Sequence, residues 1–306
     1  MTRTFLRRIL WIGITLAVVA TFTFCLSFLL PRDVARTIAG DKASEADVVL
    51  VRDRLGLNDP IPVQYLRYMG NLARLDFGYS YVNRQPVREI IAERLPRTVS
   101  LAAAAIILQL VVGLSLGLAS AARANGVLDR TTLSWAVVMF SLPTFWLGLV
   151  LLYVFAFRLG WFPLGGADSP SAIVLPAITL GIAGAAWYSR IVRQVAVETL
   201  ESDFVKELRA KGLPRRTILV KHVLRASMSP VLTMMAIDFG FLLGGAVLVE
   251  SVYAWPGLGL TSYQAMQTGD TPLLMACVIV GSAFVLILNL AADLARTVVD
   301  PRVRLG

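Results

Sequence analysis

The 306-residue sequence predicts an all-α integral membrane protein of six transmembrane helices, with a large extracytoplasmic segment after the first and a basic cytoplasmic hairpin between the fourth and fifth. Three observations carry this. Apolar residues make up 57% of the chain and charged residues only 16%, against roughly 25% charged in soluble domains. Six apolar runs, at 9–30, 99–122, 131–157, 171–189, 230–249 and 272–292, are near or above the ~20 residues that a helix needs to cross a bilayer. A soluble chain would show runs nearer about 10–14. Finally, Lys and Arg concentrate in cytoplasmic loops, and here they are unevenly shared. The N-terminus (Arg3, Arg7, Arg8), loop 123–130 (Arg123, Arg130), segment 190–225 and the tail (Arg296, Arg302, Arg304) hold 17 basic and 7 acidic residues. These parts are expected in the cytoplasm, with both termini. The net charge of +9 follows from that topology. No aromatic residues interleave with the basic ones, so a nucleic-acid surface is not expected.

In order along the chain, Arg7 and Arg8 precede an apolar stretch that reaches Pro31 without a small-x-small cleavage site. A retained first span within 1–30, rather than a removed signal, is expected. Segment 31–98 carries 11 basic and 9 acidic residues, and connections beyond about 60 residues are translocated largely regardless of charge. It is expected outside. Ser44-Glu45-Ala46-Asp47 has the pattern of a capping box opening a helix that stops near Gly56, and Pro62 and Pro86 each mark a further helix start. Tyr65, Leu66, Met69, Leu72 and Leu75 form an apolar stripe at helical spacing.

The remaining spans lie within 99–306. In the third, Pro143 predicts a kink, read either as a gate joint or as packing. The fourth, 171–189, is the weakest, with Pro176 and several glycines, which membrane helices tolerate because neighbours satisfy the freed backbone groups. In the fifth, Asp238 is the only acid deep inside a run, Glu250 and Asp293 lying near the ends of theirs. An ionised acid at membrane depth is costly unless paired or hydrated. Asp238 is therefore expected to face a water-filled path, or else to hydrogen-bond a neighbouring helix. Gly240, Gly244, Gly245 and Ala246 put small residues on one face, for close helix packing. Trp255 is expected to anchor a re-entrant or interfacial turn at the outer surface. Cys25 and Cys277 fall in separate spans and read as packing residues, and the lone His222 implies no metal site.

Between the fourth and fifth spans stands "DFVKELRAKGLPRR", 203–216. Ser202 or Asp203 has the chemistry to accept free helix N–H groups, and Phe204, Val205 and Leu208 make a short apolar stripe. Gly212 supplies a left-handed stop, and Pro214 suits the first position of a second helix. A two-turn stripe is too small to form a core. Three readings are open: a solvated loop, a hairpin on anionic lipid, or a plug for a cleft in another protein.

Several chemistries lack their residues. The sequence has no Gly-x-x-x-x-Gly-Lys-[Ser/Thr] and no Gly-Lys pair, hence no phosphate-cradling loop of its own. It has no His-Glu-x-x-His, and one histidine at membrane level supplies no Ser/His/Asp constellation. An ion-coupled carrier would show more buried charge and inverted repeats. A receptor would use segment 31–98 as its binding surface.

The hairpin resembles the cytoplasmic loop of ATP-binding-cassette importer permeases, specifically the dipeptide/oligopeptide/nickel family. "LGLNDPIPVQYLRYMGNLARLDFGYSY", "PVREIIAERLPRT", "LPTFWLGLVLLYVFAFRLGWFPLGG" and "LLGGAVLVESVYAWPGLG" are similar to further segments of that family, in its order. The resemblance covers nearly the whole chain. It departs at Lys206-Glu207-Leu208, where the general signature has Glu-Ala-Ala, and at Ser227 and Ser229, which replace apolar residues.

The resemblance implies a bacterial or archaeal inner-membrane permease subunit that has no ATPase motif and binds no cofactor itself, ATP and Mg residing on partner ATPase subunits. It implies three kinds of partner besides membrane lipid: a second homologous permease, two cytoplasmic ATP-binding subunits and an extracytoplasmic substrate-binding protein. The coupling helix, 203–213, then engages an ATPase through Asp203, Phe204, Lys206, Leu208, Arg209, Ala210, Lys211, Gly212 and Leu213. Asp238, Pro143, Phe145 and Trp146 are expected on the pathway or its gate, and Tyr65, Tyr79, Tyr81 and Trp255 at the binding protein. Segment 31–98 is also open to simple packing on the outer mouth of the bundle. Peptides rank first as cargo, with nickel and other small solutes as alternatives.

Overall fold

The computed structural model describes residues 2–27, 34–39, 43–54, 56–80 and 82–299. Among these, five helical stretches are long and apolar enough to cross a membrane: Leu6–Ser27, Val87–Ala122, Pro170–Glu201, Arg215–Val252 and Thr271–Ala295. A sixth is reached only by joining Val127–Ser141 to Thr144–Arg158 across a bend of 102°. The chain divides into two compact units, Met1–Thr98 with Pro256–Leu286, and Val99–Trp255 with Ile287–Gly306.

The first unit opens with α1 (Thr2–Ser27), α2 (Val34–Ala39) and α3 (Glu45–Arg54). The expected capping box forms at α3. The Asp47 amide donates to Ser44 Oγ at 3.2 Å and the Ser44 amide to Asp47 Oδ2 at 3.2 Å, satisfying two otherwise orphaned donors. Gly56 lies beyond the helix in the left-handed region, at φ +63°. Helix α4 (Ile61–Ala73) carries Pro62 in its first turn. The α4 stripe needs correction. Leu66 and Leu75 are 69% and 66% exposed, whereas Tyr65, Tyr68, Met69 and Leu72 are half-buried. The tyrosines set this face: Tyr65 Oη and Thr21 Oγ1 are 2.8 Å apart, and the Phe24 ring meets Tyr65 edge-on at 5.3 Å and stacks on Tyr68 at 5.6 Å. Burial pushes the Tyr68 hydroxyl pKa above its ordinary value.

A two-residue antiparallel pair, β1 (Tyr79–Ser80) and β2 (Gln85–Pro86), leads into α5 (Val87–Ala122). In the same unit stand α12 (Leu258–Thr268) and α13 (Thr271–Val299) as far as Leu286. Thr98 Oγ1 accepts the Leu258 amide at 2.7 Å, at the start of α12. Asp270 caps α13 through the Leu273 amide, and its other carboxylate oxygen accepts Ser80 Oγ and Asn83 Nδ2. Val87, Ile90, Ile91, Leu258, Ala265, Leu273, Ala276 and Cys277 form this unit's core, so Cys277 is a packing residue as read. Cys25 is exposed.

The second unit holds α6 (Val127–Ser141), α7 (Thr144–Leu151) with a π-helical continuation to Arg158, α8 (Val174–Glu201), α9 (Asp203–Ala210), α10 (Arg215–Thr217) and α11 (Leu224–Val252). Helix α8 packs against α6, α7 and α11. Its approach to α5 relies on glycine. A Cβ at Gly113 would stand 2.6 Å from Tyr188 Cβ, and one at Gly117 would stand 2.8 Å from the Ser189 carbonyl. Small residues let membrane helices come this close.

Two spans differ from expectation. The third run is no kinked helix but two arms, because Pro143 lacks an N–H and drives Leu142 into extended backbone (φ −81°, ψ 131°). The fourth run extends to Glu201 and is the most buried of the five long helices. Its Pro176 sits in the first turn of α8, where the helix loses no hydrogen bond.

Candidate functional site

Helix α8 ends at Glu201, and a single extended residue, Ser202 (φ −67°, ψ 153°), joins it to α9. The side-chain cap expected here is not made. Ser202 Oγ donates back to the Thr199 carbonyl at 2.6 Å, Asp203 pairs with Lys206 at 2.7 Å, and the Val205 and Lys206 amides use the Ser202 carbonyl. The far end is as expected. Gly212 adopts φ +76°; its amide bonds to the Arg209 carbonyl at 2.9 Å, and the Leu213 amide to the Leu208 carbonyl at 3.2 Å. That pair of bonds is a Schellman stop. Pro214 stands at the cap of α10, one position earlier than expected.

The stripe of α9 serves this chain's own core. Val205 is fully buried in a cluster with Ala121, Ala196, Ile218 and Val223, and Leu208 and Leu213 pack against it. Leu208 therefore does not stand on the free face, which corrects its predicted place. That face carries Asp203, Phe204, Lys206, Glu207, Arg209, Ala210, Lys211 and Gly212. Phe204 is 52% exposed and meets the His222 ring edge-on at 5.7 Å. Lys211 pairs with Glu207 and holds its carboxyl pKa below the ordinary value. Such exposed pairs add little stability. Lys206, Arg209 and Arg215, with Glu201, line a cleft of about 460 Å³ floored by Ala121, Ala122, Val197 and Leu200. The second arm runs through a π-helical turn, Ile218–Val223, directly into α11, so the hairpin is continuous with two spans.

Asp238 is half-buried in α11, where its Oδ2 accepts Gln109 Nε2 of α5 at 2.7 Å and Tyr188 Oη of α8 at 3.3 Å. Hydrogen bonding to neighbouring helices, the second alternative for this residue, is the arrangement observed. Neither Gln109 nor Tyr188 carries a charge that marks it in the sequence; a lone glutamine inside an apolar run is the signal for the first.

A second polar cluster also escapes sequence reading. Asp129, 1% exposed in the first turn of α6, receives Arg193 of α8 through both oxygens, one at 2.6 Å. It further accepts Ser120 Oγ of α5 and the Asn125 amide at 2.8 Å. In the sequence Asp129 and Arg193 stand 64 residues apart, in two stretches that look like ordinary cytoplasmic charge.

Pro143, Phe145 and Trp146 lie together at the start of α7, the aromatic pair 46% and 47% exposed. Of the residues predicted to meet an external partner, Tyr79 is 40% exposed, and Tyr81 lies outside the described residues. Tyr65 is turned towards α1. Trp255 is only 5% exposed, which removes it from any docking surface of this chain: its turn tucks the ring inward, the Trp255 amide closing on the Glu250 carbonyl at 2.8 Å.

Residues 109–305 match the family described as binding-protein-dependent transport system inner membrane component, and residues 1–102 match the N-terminal region of such membrane components. The chain is 40% identical over 299 residues to the glutathione transport system permease protein GsiC of Salmonella paratyphi A (strain ATCC 9150 / SARB42), covering 98% of each chain. It is 38% identical, at the same coverage, to GsiC of Escherichia coli (strain K12). Its fold is similar to a chain of the inward-facing MetNI methionine ABC transporter, with a TM-score of 0.60 and 19% identity over 69% of this chain and 96% of that one. The chain belongs to the inner-membrane component family of binding-protein-dependent transport systems, as a permease subunit of a peptide-type ABC importer.

Proposed function

We propose that this subunit imports short peptides, glutathione among them, delivered by an extracytoplasmic binding protein and driven by ATP hydrolysis on separate subunits. The observation that carries the cargo class is the 40% identity to a glutathione permease across 98% of both chains. In this reading α6 and α7 form one broken span, giving six in all with both termini in the cytoplasm. Residues 31–98 lie outside, and 99–306 form the permease core. A second, homologous permease completes the pathway, and two ATP-binding subunits hold ATP and Mg; this chain holds neither and is no enzyme. The exposed face of α9 is the ATPase dock, with Phe204 at its centre and Lys206, Arg209 and Lys211 around it. Its apolar underside is fastened to α5 and α8, so a push on α9 reaches the spans without passing through a flexible linker. Pro143, Phe145 and Trp146, at the 102° bend, form the gate joint.

The test is to purify the tagged chain in mild detergent from its own membranes, beside a Gly212→Asp control. Wild type is expected to carry ATPase subunits and to hydrolyse ATP faster when binding protein loaded with glutathione is added. The control is expected to lose those subunits, because Asp at φ +76° strains the stop that shapes the dock. A wild-type chain free of ATPase, under conditions that keep other complexes intact, removes the coupling role.

A further inference from the structure

We propose that Asp129 and Arg193 are positioning residues for energy coupling: a brace, buried at its Asp129 end, that makes α5, α6 and α8 move with the coupling hairpin as one body. This rests on the reading of α9 as the ATPase dock. Neither residue stands on the exposed face of α9. Their placement speaks for a mechanical task. Ser120, which donates to Asp129, is followed directly by Ala121, and Arg193 stands one helical turn before Ala196. Ala121 and Ala196 are the buried residues of α5 and α8 that cluster with Val205 of α9 and with Ile218 and Val223 of the π-helical turn leading into α11. The brace therefore lies beside the root of the hairpin.

The chemistry is that of a rigid joint. The carboxylate of Asp129 is held by the fork of one arginine, by a hydroxyl and by a backbone amide, donors that come from α8, α5 and the loop before α6. A bidentate Arg–carboxylate pair fixes angle as well as distance, and because Asp129 is buried while Arg193 is partly exposed, loss of Arg193 strands the carboxylate charge. Asn125 adopts φ +64° to aim its amide at the carboxylate, a conformation uncommon outside glycine. Arg215 adds a strap, donating to the Ala122 carbonyl at the end of α5. Lys in place of Arg193 keeps the charge but loses the fork, which separates geometry from charge.

The experiment uses the assembled complex with its ATPase subunits. Cys25 and Cys277 are replaced by serine and alanine, and spin labels are placed at Val137→Cys on α6 and Val220→Cys on the hairpin, both exposed. The inter-label distance is measured by pulsed electron resonance with and without ATP and vanadate. With the brace intact the distance is expected to stay constant on trapping. In the neutral double variant Asp129→Asn/Arg193→Gln, and in Arg193→Lys, it is expected to shift or broaden while ATPase subunits remain bound and hydrolysing. Three results overturn the brace: a distance that already shifts in the intact protein, one that stays constant in Arg193→Lys, or loss of ATPase subunits from Arg193→Lys, which would make the pair an assembly element only. Failure of the α9 reading looks different, since Gly212→Asp would then retain its ATPase subunits.

Discussion

Asp238 shows how one acidic side chain within a long apolar helix is accommodated. Its carboxylate meets two neutral donors, Gln109 and Tyr188, each from a different helix, and interhelical bonds of this kind contribute about 1 kcal/mol each at most sites. Asparagine offers the same acceptor oxygen without the charge. Asp238→Asn is therefore expected to leave assembly, thermal unfolding in detergent and glutathione uptake essentially unchanged, whereas Asp238→Ala should destabilise the subunit by about 1–2 kcal/mol. A selective loss of uptake in Asp238→Asn, with stability intact, would instead put the charge itself on the transport pathway. Gly184 provides an independent check, because a Cβ there collides with the Gln109 amide. Gly184→Ala should displace Gln109 and reproduce part of the stability loss of Asp238→Ala, the Tyr188 bond and the acid staying in place.

Helix α9 illustrates which features of an element are legible in its sequence. Its C-terminal end is, because the stop is made by local chemistry: Gly212 at φ +76° and the Leu213–Leu208 bond need only neighbours in the chain. Its orientation is not, because which side is buried depends on Ala121 and Ala196 of two other helices. Phe204 and Leu208 look equivalent by spacing and the fold separates them, one outward and one inward. The separation gives paired predictions. Val205→Ala should destabilise the hairpin by about 1–2 kcal/mol through the cavity it leaves, read as faster amide exchange at Gly212 and Leu213. Phe204→Ala should shift stability by less than about 0.5 kcal/mol, as surface changes do, yet reduce the ATPase recovered with the chain. Equal effects of the two on ATPase recovery and amide exchange would mean that α9 has no dedicated docking face. The same reasoning explains the α4 stripe, whose buried side follows Tyr65 and Tyr68 against α1 rather than Leu66.

At the scale of the whole molecule, hydropathy located the long apolar helices but not how each ends or bends. Five runs became helices that reach beyond the apolar stretch at one end or both, because turns such as Arg190–Glu201 continue the same hydrogen-bond ladder. The sixth became two arms at Pro143, and the Asp129–Arg193 pair stayed hidden because its members look like ordinary loop charge until α6 and α8 meet. The broken run decides the topology. Counted as one span, it gives six crossings and puts both termini on one side; counted as a re-entrant loop, it gives five and separates them. The charge distribution favours the first, since the tail and the N-terminus are both basic. Protease-sensitive tags at residues 1 and 306 are therefore expected to be cleaved together in inverted membrane vesicles and protected together in spheroplasts. A single cysteine at Leu66, exposed on α4, should react with a membrane-impermeant maleimide in the opposite pattern. Tags cleaved in different preparations would place α6 and α7 as a loop dipping into one face of the bilayer, and the gate assigned to Pro143 would then have to open sideways into lipid rather than along the path of the cargo.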